Sequence, residues 1–120
     1  MSEEATPVGG ARASAIPRPG EVFDPVARAL DVVGDKWTLV LVRHLLNGPR
    51  GFQELRQRTG IAPRVLSNRL RQLSAAGFVA SGEGEGGRSV YVATDRAREL
   101  EPIIASIARW YVHHAVEDLD

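Results

Sequence analysis

Pro63-Arg64-Val65-Leu66-Ser67-Asn68-Arg69-Leu70-Arg71-Gln72-Leu73-Ser74-Ala75-Ala76 is the stretch whose reading decides the fold. Proline suits a first helical position, where its missing N–H is not needed. Leu66, Leu70 and Leu73 follow at i, i+4 and i+7, which predicts one buried stripe. Gly77 then ends the helix. The opposite side carries Arg64, Ser67, Asn68 and Arg71. Arg pairs bidentately with guanine, Asn with adenine, and Ser bonds bases or phosphates. The N-terminal part of a recognition helix enters the major groove. Arg64, Ser67 and Asn68 are therefore the base-reading candidates, with Arg71 completing the face.

The charge around this helix agrees. Between Arg50 and Leu73 stand six arginines, Arg50, Arg56, Arg58, Arg64, Arg69 and Arg71, against Glu54 alone, a local +5 in a chain of formal net charge zero. Composition by itself gives no sign of a nucleic acid, but clustered cations are the footprint of phosphate binding. Arg50 and Arg58 are taken as phosphate contacts. Lys36, the single lysine, is a further candidate, with plain solvation as its alternative.

Upstream, Asp24-Pro25 predicts a capped helix start. Val26, Ala29, Leu30 and Val33 recur at helical spacing until Gly34. Asp35 caps a second helix, with Trp37, Leu41, Leu45 and Leu46 along one side and Asn47-Gly48-Pro49 as its stop. Arg50-Gly51-Phe52 has room for one extended stub. A third helix runs from Gln53 to Thr59-Gly60. Downstream, Phe78–Ala80 and Ser89–Val92 read as two strands, and the glycine-rich Ser81–Gly87 between them as a loose hairpin tip. Thr94 caps a last helix in which Leu100, Ile103, Ile104, Ile107 and Tyr111 share a face. Pro102 falls inside it and should kink it. The order is helix, helix, stub, helix, helix, hairpin, helix: mainly α with a small β-hairpin, a winged helix-turn-helix.

Residues 1–22, rich in Pro and Gly, read as a flexible tail, with a DNA-touching or subunit-touching arm as the alternative for Arg12 and Arg18. Residues 23–120 form the single domain expected at this length. The chain holds no cysteine, which removes disulfides, thiolate nucleophiles and Cys-based zinc sites. No apolar run approaches the roughly 18 residues of a membrane span, and no signal peptide is visible, so a cytoplasmic location is expected. His113 and His114 point to different helix faces, and no metal site or cofactor is assigned. There is no Ser-His-Asp setting, phosphate loop or pair of buried carboxylates, so no enzyme activity is expected.

Phe23-Asp24-Pro25-Val26, Val33-Gly34-Asp35-Lys36-Trp37-Thr38, Gly48-Pro49-Arg50-Gly51-Phe52-Gln53-Glu54-Leu55 and Pro63-Arg64-Val65-Leu66-Ser67-Asn68-Arg69-Leu70 together closely resemble the HxlR family. The resemblance implies a dimeric winged helix-turn-helix transcriptional regulator over about residues 23–110. Asp24 stands where many members carry a sensing cysteine, so thiol sensing does not carry over. Ala62 replaces a frequent capping Ser. Glu83 and Glu85 occupy a wing usually basic or apolar and would repel phosphate, leaving Arg88 at the wing base as its contact. Ala93 and Ala97 replace Leu and Gly.

The last helix has apolar residues on more than one side, too many for one small domain to cover. Pairing Phe23, Val26 and Leu30 of the first helix with Ile104, Ile107, Trp110 and Tyr111 of the last across a two-fold axis predicts a homodimer on palindromic double-stranded DNA. Trp37, Trp110 and Tyr111 are candidates for a small-molecule effector pocket, with core and interface packing as the competing readings. A winged-helix module that binds a protein or small molecule without specific DNA recognition is the alternative function.

Overall fold

The computed structural model describes residues 24–119, with side chains through Ala115. The tail expected at 1–22 and the interface role of Phe23 lie outside the described residues. Helix α1 spans Pro25–Val33, α2 Thr38–Leu46, α3 Phe52–Thr59 and α4 Pro63–Ala75; strands β1 (Val79–Glu83) and β2 (Ser89–Ala93) follow, then α5 (Asp95–Arg98) and α6 (Glu101–Leu119).

Local chemistry sets most of these boundaries. Asp24 Oδ1 accepts from the amides of Val26 (3.0 Å) and Ala27 (3.3 Å), satisfying donors that the first turn of α1 leaves open. Gly34 closes α1 through its amide on the Leu30 carbonyl at 2.8 Å. A Cβ at residue 34 would press into that same carbonyl, so a close approach demands glycine there. Asp35, expected as the cap of α2, holds the turn that leads into it, with Trp37 at the cap position: the Asp35 carboxylate accepts from the amides of Trp37 and Thr38, both at 3.0 Å, and from the Thr38 hydroxyl. Gly60, at φ 74°, closes α3 in the left-handed region that glycine enters without cost.

The core gathers where these elements meet. Leu41, Val42 and Leu45 of α2, Leu55 of α3, Ile61 and Leu66, Leu70 and Leu73 of α4 are buried together with Phe78, Val79, Ala93 and Ala97. Burial of the α4 leucines follows the predicted stripe. Ala93 and Ala97, the two departures at the wing-to-α5 join, are 8% and 1% exposed; their small side chains fit a site with no spare volume.

The wing, the Arg50 stub and the last helix differ from expectation or gain detail. The first strand runs to Glu83 rather than ending at Ala80, because Ser81, Gly82 and Glu83 pair with Tyr91, Val90 and Ser89 across the antiparallel ladder. Cross-strand pairing overrides weak local propensity there. The tip is a single tight turn at Glu85–Gly87, closed by the Gly84 amide on the Arg88 carbonyl at 2.7 Å. The Arg50 stub pairs with the wing: its amide and carbonyl exchange hydrogen bonds with Tyr91 at 3.1 and 2.8 Å. Finally, the last helix is two helices rather than one kinked helix. Thr94 caps α5 by accepting from the Ala97 amide (3.3 Å) and anchors to the Gly77 carbonyl (2.6 Å). Tight i−3 bonds from Glu99 and Leu100 end it, and α6 restarts at Glu101. Pro102 is thus the second residue of a new helix, where its missing N–H is one of the first-turn donors that no intrahelical carbonyl claims. Helix, turn, helix and hairpin in this arrangement form a winged helix-turn-helix.

Ala62 caps α4 without any side-chain hydrogen bond. Ala62→Ser should therefore stabilise the fold by about 1 kcal/mol. A thermal melt should show this as a rise of about 4–8 °C for a domain of this size; an unchanged midpoint means the hydroxyl does not reach the N2 or N3 amide.

Candidate nucleic-acid interface

The α4 stripe of Leu66, Leu70 and Leu73 fixes the rotation of that helix. Arg64, Ser67, Asn68 and Arg71 consequently lie on its exposed side. Arg64 and Ser67 make no side-chain hydrogen bond or ion pair among the described residues. Asn68 and Arg71 are coupled: Asn68 Oδ1 accepts from Arg71 Nη1 at 3.1 Å and Nη2 at 2.8 Å. The i, i+3 spacing of Asn68 and Arg71 on one helix face is the sequence signal for this pairing.

The local excess of positive charge is smaller at the surface than the count suggests. Arg50, expected among the phosphate contacts, is committed inside the fold. Its side chain is 15% exposed, with Nη1 on Glu54 Oε2 at 2.7 Å and Nε donating to the His44 carbonyl at 3.2 Å. Together with its backbone bridge, this locks the wing to the start of α3. Arg58 is more exposed and shares Glu54 at 3.3 Å. The hydrogen bond from Arg50, opposed by partial desolvation and reinforced by Arg58, holds the Glu54 carboxyl below its ordinary range. Arg69 reaches back from α4 to the turn before α2, its Nη1 3.6 Å from Asp35 Oδ2 and 2.7 Å from Gln72 Oε1. Lys36 is exposed, its ammonium 4.8 Å from the Trp37 ring centroid. Arg88 is exposed beside the tip, which also exposes Glu83 and Glu85.

His44, on the inner side of α2, is half-buried. Burial, then Arg43, Arg50 and Arg58, push its pKa down, which disfavours its charged form beside those arginines. Asp35 shows the opposite balance. Burial alone would raise its pKa, but the Thr38 hydroxyl, the Trp37 and Thr38 amides and Arg69 outweigh that and hold it below the carboxylate range. A depressed pKa contributes stability that is complete above the unfolded-state value and is lost as pH falls through the folded one. Asp35→Asn should thus lower stability at pH 7 and flatten its decline on acidification. Urea melts at pH 7 and pH 3 measure both; parallel acid limbs in the two proteins would contradict the role given to Asp35.

Away from α4, Val26 and Leu30 of α1 and Ile107, Trp110 and Tyr111 of α6 are all half or more exposed. Ile104 departs from this set: it packs against the core, because it points between α6 and the domain body. The effector-pocket expectation also changes. Trp37 packs on the core edge, Trp110 lies against His114 with ring centroids 4.5 Å apart, and neither they nor Tyr111 line the cavity between α1 and α6.

A winged helix-turn-helix whose fourth helix exposes a polar-basic face defines the class. The model of the HxlR-like helix-turn-helix family matches residues 32–118. The chain belongs to that family. It is 36% identical to the uncharacterised HTH-type transcriptional regulator YybR of Bacillus subtilis over 92 residues, covering 72% of this chain and 71% of YybR. Against the HTH-type transcriptional regulator Rv3095 of Mycobacterium tuberculosis it is 35% identical over 91 residues, covering 72% of this chain but 56% of that protein. The chain thus spans little more than half of its mycobacterial relatives. Among solved structures it is similar to the redox regulator HypR in its reduced form, at TM-score 0.69 and 32% identity, covering 81% of this chain and all of HypR. It is likewise similar to PA1607, a putative transcription factor, at TM-score 0.66 and 37% identity, covering 74% of this chain and 63% of PA1607.

Proposed function

We propose that the chain is a sequence-specific DNA-binding transcriptional regulator, a repressor that acts as a homodimer on a palindromic operator in the cytoplasm. The observation that carries the reading is the two-sided α4: leucines locked in the core on one side, Arg64, Ser67, Asn68 and Arg71 presented to solvent on the other. The names of the relatives support it. Lys36, Arg58 and Arg88 flank the face as phosphate contacts. The exposed apolar side chains of α1 and α6 support pairing with a second copy, which sets half-sites about 10 bp apart or a multiple of that. In sedimentation, the dimer reads as twice the 13.0 kDa chain mass.

Control by a small molecule is part of the proposal; control by thiols is not. HypR is a redox regulator by name, and these 120 residues contain no cysteine to perform that chemistry. The test is binding to the intergenic DNA beside the gene at several salt concentrations. Specific affinity of about 10⁻⁸ to 10⁻¹¹ M, weakening with salt, is expected, together with increased transcription of the target on deletion. The acidic tip, Glu83 and Glu85, favours a second reading: a winged-helix module for a protein or small-molecule partner. Equal affinity for operator and random DNA would select that reading.

A further inference from the structure

An open cavity of about 610 Å³ lies between α1 and the start of α6. That volume is in the range of small-molecule sites. Val32 and Val33 form one wall, Leu100 and Ile103 the other, and Phe78 closes the side toward the wing. Ala29 and two charged residues, Arg96 and Glu99, complete the lining. The Arg96 guanidinium sits 5.0 Å from the Phe78 ring centroid. Among the described residues it makes no side-chain hydrogen bond and no ion pair; Glu99, three residues on, is not within bonding distance. A guanidinium packed on an aromatic face keeps its N–H groups directed outward in its own plane, where they match a carboxylate.

We propose that this cavity binds a small organic acid with a flat apolar body, its carboxylate forked by Arg96 and its body held between α1 and α6. Glu99 repels a second anionic group, so a monoacid is preferred to a diacid. The walls belong to the two helices whose outer faces carry the proposed subunit contact. A ligand wedged there sets their spacing and, through the dimer, the separation of the two α4 helices. The inference rests on the effector-responsive reading above and supplies its site and ligand class.

The probes are 2-naphthoate and its neutral counterpart 2-naphthamide, added to the full chain and followed by calorimetry and thermal melting. Naphthoate should bind and raise the melting temperature; naphthamide should bind about tenfold or more weakly, lacking the charge-assisted fork. Arg96→Gln should reduce naphthoate to the naphthamide level, its shift being read against that variant's own unliganded melt, which the loss of the contact with Phe78 lowers. As a second variant, Ile103→Trp should block both probes by filling the space. Equal binding of acid and amide, or full naphthoate binding by Arg96→Gln, overturns the proposal. So does dissociation of the dimer by Ile103→Trp with no naphthoate binding to the unaltered chain, which would give the cavity to a second copy. Operator affinity of the unliganded protein is measured separately: its absence with naphthoate binding intact sinks the DNA reading alone, and the reverse sinks only the cavity.

Discussion

Replacing Leu66 with Ala should cost the fold about 2–5 kcal/mol. Leu66 is fully buried, at 0% exposure, in the same cluster as Leu41, Val42 and Leu55. Truncation removes its transfer free energy and leaves a void that α4 cannot close without leaving its own seat on Leu70 and Leu73. Against a typical domain stability of about 5–15 kcal/mol, such a loss consumes a large share of the total. In urea, the midpoint should fall at unchanged m-value. The control is one residue away on the same helix: Val65 is 39% exposed, and Val65→Ala should stay within about 0.5 kcal/mol. Similar losses at 65 and 66 would mean that α4 is not seated as described. DNA binding by Leu66→Ala should weaken in proportion to the unfolded fraction, and recover at lower temperature or in stabilising osmolyte, since no contact atom has been removed.

The same leucines explain how much of the fold was legible. A stripe with helical period fixes both the existence of a helix and its rotation, so the outward set Arg64, Ser67, Asn68 and Arg71 followed from the inward set. The ends of α1, α2 and α4 were legible because Asp24, Gly34, Asp35 and Pro63 act on their immediate neighbours. What escaped depends on partners distant in sequence or on competition between neighbours. Nothing in Ser81-Gly82-Glu83 predicts a strand; the ladder to Ser89–Tyr91 imposes it. Pro102 signalled an interruption, and whether the chain kinks or restarts is decided by the Ala97 packing and the Thr94 anchor that end α5 at Arg98. The arginine count overstated the available charge because Arg50 and Arg69 answer to Glu54 and Asp35. The first of those pairs sits at i, i+4 and was open to reading; the second spans 34 positions and was not. The α1–α6 cavity had no signal at all, since its walls join only in three dimensions.

On the DNA reading, Arg64→Ala should lose about 1–3 kcal/mol of discrimination against the wrong base, roughly five- to 150-fold, at the position it reads. Its guanidinium is unpaired among the described residues, so removal breaks no internal contact and leaves stability nearly untouched. Asn68→Ala requires a different argument. Adenine recognition uses an Asn oxygen as acceptor and its NH₂ as donor, and here that oxygen already holds the Arg71 fork. Its second lone pair leaves room for a base only if Arg71 swings toward a phosphate. Removing Asn68 therefore loses the base contact and also frees Arg71. Single substitutions at 68 and 71 should not add: the double variant should depart from their sum by about 0.5–3 kcal/mol, as expected of residues in contact. Arg58 supplies the contrast. Its side chain is 48% exposed, and Glu54 is held more closely by Arg50, at 2.7 Å against 3.3 Å, so Arg58 is free to turn to a phosphate. Arg58→Ala should weaken operator and random DNA about equally and reduce the salt slope by about 1. If Arg58→Ala altered base preference while Arg64→Ala left it intact, α4 would not be the helix that reads the operator.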